Sequence, residues 1–268
     1  MKDQSFFQKC CHCFGKEFKR DNFKLNHVPV DDFYISQWQK DTKSVYFLIY
    51  RWLLALFFIG VVFTCMVFQW SGGKFFIFLT DWGFLLCMIT CVYGAVLVSI
   101  NYCRPFDSVK QTWTFKIYWA LHITTLILAV IITIVYWIFL WPKDTHAKSS
   151  TRSLAFNAFQ HACNTGVMFF DQFVVAFPTR LLHVIYPLGL GVIYAVFSAI
   201  YYGAGGTDPN GNHYIYDILD WSNPGGTFLT ILGVFVLCAI VMVIMYGSYK
   251  LRRLIYESFH NVEFDLPY

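Results

Sequence analysis

The sequence predicts an all-α polytopic membrane protein, a bundle of six transmembrane helices with a non-cytosolic cap between the fifth and sixth. Three observations predict it. Of 268 residues 57% are hydrophobic, 21% aromatic and only 13% charged, whereas soluble domains carry roughly 25% charged residues. Six apolar segments each reach the roughly 20 residues that a helix needs to cross a bilayer. Lys and Arg alternate between the loops, 15 on one side and 4 on the other, which by the positive-inside bias places both termini in the cytosol. The net charge of +4 then serves orientation. No basic face interleaved with aromatics points to nucleic acid, and the expected partners are membrane lipids.

Residues 1–44 form a polar, cytosolic N-terminal segment with no secretory signal before the first span. Within it Cys10, Cys11 and Cys13 flank His12 amid several lysines. Such a cluster suits S-acylation beside a polybasic segment; unmodified thiols are an equal reading, and zinc a weaker one, because no second ligand cluster follows. Neither a metal nor a cofactor is expected. The spans are read near residues 46–70, 76–100, 116–141, 152–177, 181–202 and 226–250, within a transmembrane domain of 45–250, and residues 251–268 form a cytosolic tail. Only residues 178–180 (PTR) separate the fourth and fifth spans, which implies a tight hairpin. Cys65, Cys87, Cys91, Cys163 and Cys238 fall in spans as small buried hydrophobes.

The loop 203–225 has no Lys or Arg. Its turn residues 205–211 (GGTDPNG) and the amphipathic stretch 214–221 (YIYDILDW) predict a compact cap lying on the membrane surface. Asp208, Asp217 and Asp220 lack calcium-loop spacing and read as solvated acids.

Ionisable and amide groups inside the spans are costly in lipid and turn toward the bundle interior. Asn157, His161, Asn164 and Asp171 recur at helical spacing and make one polar stripe on the fourth span. At 1.5 Å per residue, Thr80 and Asp81 sit roughly 6 to 8 Å and His161 roughly 13 Å below the non-cytosolic side, with Asn157 between, so these groups can share one outward-facing pocket. Arg51, His122 and Asp171 lie at one level near the cytosolic side. An Arg51–Asp171 ion pair with His122 beside it lowers the cost of burying all three. For Thr80 and His161 the spacing leaves two readings open: interhelical hydrogen bonding, or a hydroxyl nucleophile with a His base for acyl transfer.

Residues 43–52 (KSVYFLIYRW), 78–83 (FLTDWG), 180–187 (RLLHVIYP), 200–209 (IYYGAGGTDP) and 214–221 closely resemble the rolling stone family of multipass membrane proteins. The resemblance runs from about residue 40 onward. It implies a plasma-membrane protein acting in fusion of muscle precursor cells or in development, with no chemistry attached. More distantly, residues 72–80 (GGKFFIFLT) are similar to the nucleophile segment of the androgen-induced, androgen-dependent family of intramembrane threonine hydrolases, which implies Thr80 as nucleophile and fatty-acid esters of hydroxy fatty acids as substrates. That family takes its base from the second His of an Asn-His-x-Met-His-Thr motif, where this chain has Asn164. His161, one turn earlier, must then act as base, with Asn164 or Asn157 meeting an oxyanion. Thr80, His161 and Asn164 are thus the candidate catalytic set, and Asn157 and Asp81 the candidate substrate contacts for an acyl lipid. A small-molecule or lipid transporter is a third reading, with Pro187 as a kink but no paired helix breaks. The sequence leaves the oligomeric state open.

Overall fold

The computed structural model describes residues 15, 17–70, 72–104, 112–142 and 159–260. Six α-helices follow in order: α1 (Val45–Gln69), α2 (Leu79–Cys103), α3 (Trp113–Val135), α4 (Asn164–Val174), α5 (Ile185–Gly203) and α6 (Pro224–His260). Among the described residues five helical stretches are long and apolar enough to cross a membrane. The exception is α4, whose predicted span begins at residues outside the described ones.

Local chemistry sets the helix starts. At α1 the Ser44 hydroxyl accepts from the Phe47 amide at 3.2 Å, satisfying one of the donors that a first turn leaves free. At α6 Pro224 stands first, where its missing N–H costs nothing, and the Asn223 side-chain oxygen Oδ1 accepts from the Gly226 amide at 3.2 Å. Two π turns interrupt the regular geometry: Tyr136–Leu140 extends α3 and Phe159–Cys163 leads into α4.

The central core joins all the helices through small and flexible side chains such as Ala55, Cys87, Cys91, Met168, Cys238 and Met242. At Gly83 a Cβ would lie 2.5 Å from Ile132 Cδ1, so the Ile132 side chain of α3 packs directly on the α2 backbone there. Polar pairs tie helices within the apolar interior, including Thr90 with Thr125 at 2.8 Å and Thr133 with Thr165 at 2.7 Å. Each satisfies a hydroxyl that lipid cannot.

Three expectations change. The N-terminal segment is more than a polar tail: Val30, Phe33 and Tyr34 are buried against Phe47, Phe115, Trp119 and Phe177. Its backbone also meets the end of α4, with the Gln37 amide donating to the Val174 carbonyl at 2.9 Å and the Trp38 indole to that of Phe173 at 2.6 Å. The hairpin after α4 is longer than three residues, because α4 stops at Val174 and the freed carbonyls of Gln172, Ala176 and Phe177 accept from the Arg252 guanidinium at 2.7 to 3.1 Å. That contact also explains why α6 runs on to His260 and does not end near residue 250. Trp38 packs edge-on to Tyr256 at 6.0 Å, so the described ends of the chain lie at the same end of the bundle.

Candidate functional site

Two polar sites lie among the described residues of the bundle, one toward the end that carries the described chain ends and one under the loop joining α5 to α6. In the first, Asp171 of α4 is nearly inaccessible, at 1% exposure. Arg51 of α1 donates to both of its carboxylate oxygens at 3.0 and 3.1 Å, the Tyr50 hydroxyl donates at 2.9 Å, and His122 Nε2 of α3 lies at 3.0 Å. Arg51, His122 and Asp171 are therefore brought together from three helices. With the Phe47 ring 4.9 Å from the guanidinium, the cluster is closed, and its chemistry is that of a tie.

The second site is a chamber of about 310 Å³ in whose wall Thr80, Asp81, Gln160 and His161 meet Tyr136 and Tyr216. Thr80 and Asp81 come from the first turn of α2, where helix dipole and free amides favour an acidic neighbour. His161 and Gln160 come from the π turn before α4, and Tyr136 from the π turn that ends α3. The His161 ring stacks on that of Tyr136, centroids 3.4 Å apart and planes 10° from parallel. Single π turns occur often where a helix serves a function; here two of them aim side chains into one space. Asp81 and His161 are 3% and 7% exposed, and Asp81 Oδ1 and His161 Nδ1 have no hydrogen-bond partner among the described residues. Unpartnered buried polar atoms are expensive and call for an explanation.

The cap forms the roof. Asp208 is buried and not solvated: it accepts from the amides of Asn210 and Asn212 at 2.9 and 2.8 Å and from the Asn212 side chain at 2.9 Å. Gly211 closes the turn at a φ of 89°, a conformation that favours glycine. Lys74 holds this turn to the start of α2, donating to Thr207 Oγ1 at 3.0 Å and the Asp208 carbonyl at 2.8 Å. The stretch expected on the membrane surface turns inward, with Ile215 and Leu219 buried. Its Tyr216 oxygen lies against the Thr80 side chain and the backbone amides of Leu79 and Thr80. Burial pushes the Tyr216 phenol up to about 12, so it remains an O–H group at neutral pH.

An apolar slot of about 110 Å³ adjoins the chamber, the two sharing Thr80, Tyr136, Leu140 and Tyr216 in their walls. The slot in turn shares Val135, Ile218, Thr230 and Val234 with a groove of about 690 Å³ between the end of α3, the start of α6 and the cap.

Among the predicted site residues, Thr80, Asp81 and His161 thus face one chamber, although no hydrogen bond joins Thr80 to His161. Asn164 is buried at 3% exposure but does not line the chamber. Asn157, Cys10, Cys11 and Cys13 lie outside the described residues. Tyr136 and Tyr216 were missed. Tyr216 was legible only as part of an amphipathic stretch, and nothing in the sequence marked Tyr136.

Fold and site together define a polytopic helical membrane protein with a capped polar chamber continuing into an apolar slot. The rolling stone family model, described as "Protein rolling stone", matches residues 4–265. The protein rolling stone of Drosophila melanogaster is 42% identical over 270 residues, 96% of either chain, and the chain belongs to the rolling stone family. No solved structure matches it.

Proposed function

We propose that this chain is a plasma-membrane protein with both termini cytosolic, that it acts in cell–cell fusion of the myoblast type or in development, and that its part there is to hold a membrane acyl lipid under the cap. One observation supports the lipid role: the run from polar chamber through apolar slot to the groove between α3 and α6. Ligand sites of this kind join an apolar lining to a few convergent polar groups. A head group would sit beside Asp81 and His161 with its chain along Ile131 and Val135. The fusion role rests on family membership. Restoring the gene to fusion-competent cells that lack it tests both parts. Wild type is expected to restore the fraction of nuclei in multinucleate cells, whereas Ala195→Trp, which fills the slot, is expected to restore less than half. No restoration by wild type would reject the fusion role, and full restoration by the filled variant would reject the lipid's part in it.

The shared chamber of Thr80 and His161 favours a second reading, an intramembrane lipid hydrolase. The Thr80 oxygen would attack the acyl carbonyl as His161 takes its proton, and the proton would leave on the departing alcohol. Water would then cleave the acyl–Thr80 ester, returning the hydroxyl hydrogen to Thr80. The His161 ring must first come within about 3 Å of the Thr80 hydroxyl. Turnover of acyl esters by the purified chain, lost by about 100-fold or more in Thr80→Ala and in His161→Ala, would establish this activity. No turnover by wild type would exclude it for the esters tried.

A further inference from the structure

Building on the lipid-holding reading, we propose that the chamber selects a single-chain lipid with an uncharged, hydroxyl-bearing head of the monoacylglycerol class and rejects carboxylate and phosphate heads. The wall carries the argument. It holds Asp81, Thr80, Gln160, His161 and Tyr216 among aromatic and aliphatic neighbours, with no Lys or Arg among the described residues. An anionic head in such a space would be buried without a counter-charge and beside a carboxyl group, which is among the costliest arrangements known.

A helix N-terminus ordinarily offers anions a place, but at α2 that place is filled. The Tyr216 phenol stands beside Thr80 in the same wall, and Asp81 already supplies the acid of the first turn. The nearby cation, Lys74, is committed to Thr207 and Asp208 of the cap and is absent from the chamber wall.

The unpartnered atoms name the complement. Asp81 Oδ1 accepts, and a hydroxyl hydrogen would satisfy it. His161 Nδ1 donates or accepts according to tautomer, and a hydroxyl can take either part. A glycerol head supplies two free hydroxyls and an ester carbonyl, so it meets both atoms and leaves an acceptor for a phenol or threonine hydrogen. An ammonium head has three donors and no acceptor; it would serve Asp81 alone. The acyl chain would then thread the slot, whose volume of about 110 Å³ suits a single chain, before reaching the groove.

The test exposes the purified full-length chain in detergent to equal concentrations of 1-monooleoylglycerol, oleate, oleoyl lysophosphatidate and oleylamine, and counts bound lipid by native mass spectrometry. The glycerol ester is expected to be retained about ten-fold or more over each charged lipid. Asp81→Asn is expected to narrow that preference several-fold, and Asp81→Lys to reverse it toward oleate. Comparable retention of an anionic lipid by wild type, tighter retention of the amine, or no retention of any lipid overturns the assignment. Wild type alone decides this, so a variant that fails to fold leaves the test intact. Fusion is read separately in cells, so loss of the fusion role with selective retention would leave the ligand assignment standing.

Discussion

Asp171→Ala is expected to lower the unfolding midpoint of the detergent-purified protein by about 10 °C or more and to cut the yield of folded protein. The cause is what the substitution leaves behind. Arg51 is 2% exposed and its Nη1 donates to both oxygens of this one carboxylate, so truncating Asp171 strands a guanidinium in an apolar interior. Breaking a buried pair in this way costs about 3–5 kcal/mol, and in a chain of this size each kcal/mol moves the midpoint by roughly 2–4 °C. The Tyr50 hydroxyl and His122 lose their partner as well. Removing both charges behaves differently, because well-packed apolar residues in place of a buried ion pair are often neutral or stabilising. Arg51→Met with Asp171→Leu should therefore recover most of the loss. Measuring the midpoints of both single variants and the double variant closes the cycle, and additive losses would show that the pair is not coupled.

Arg252→Met is expected to destabilise by about 3 kcal/mol, since it leaves buried carbonyls at the end of α4 without donors, each worth roughly 1–3 kcal/mol when unsatisfied. Its neighbour gives the control. Arg253, partly exposed, pairs with the buried Glu257 at 2.9 Å, one turn along the same helix, and so touches a side chain and not the α4 carbonyls. Thermal unfolding of the two variants side by side should separate them clearly. Equal effects would mean that general charge, and not the α4 carbonyls, accounts for Arg252.

Arg51, His122 and Asp171 were legible in the sequence for a simple reason. In lipid an ionisable group must find a partner, and counting residues from the span ends put all three at one depth. Thr80, Asp81 and His161 were legible by the same count. Asn164 is buried like His161 and Asp171 but does not line the chamber, and the turn Phe159–Cys163 that precedes it is π and not α. A wider turn rotates less per residue, so positions three apart no longer share the face that 3.6 residues per turn assigns them. In the cap, an amphipathic stretch tells which residues seek an apolar neighbour but not whether lipid or protein supplies it. Here Ile215 and Leu219 find protein, and that choice carries Tyr216 to the start of α2. Val30 and Phe33 hid in a polar stretch whose value appears only once Phe115 and Phe177 are beside it.

A lipid route running through the slot into the capped chamber is the claim on which the functional account turns. The most direct measurement is photocrosslinking in intact membranes with a monoacylglycerol carrying a diazirine in its chain, followed by peptide mapping of the adducts. Adducts are expected within residues 131–140, at the end of α3 and in the π turn that follows it, and within residues 226–237 of α6, suppressed by excess unlabelled monoacylglycerol. Adducts confined to the outer faces of α1 and α5, unchanged by the competitor, would contradict it.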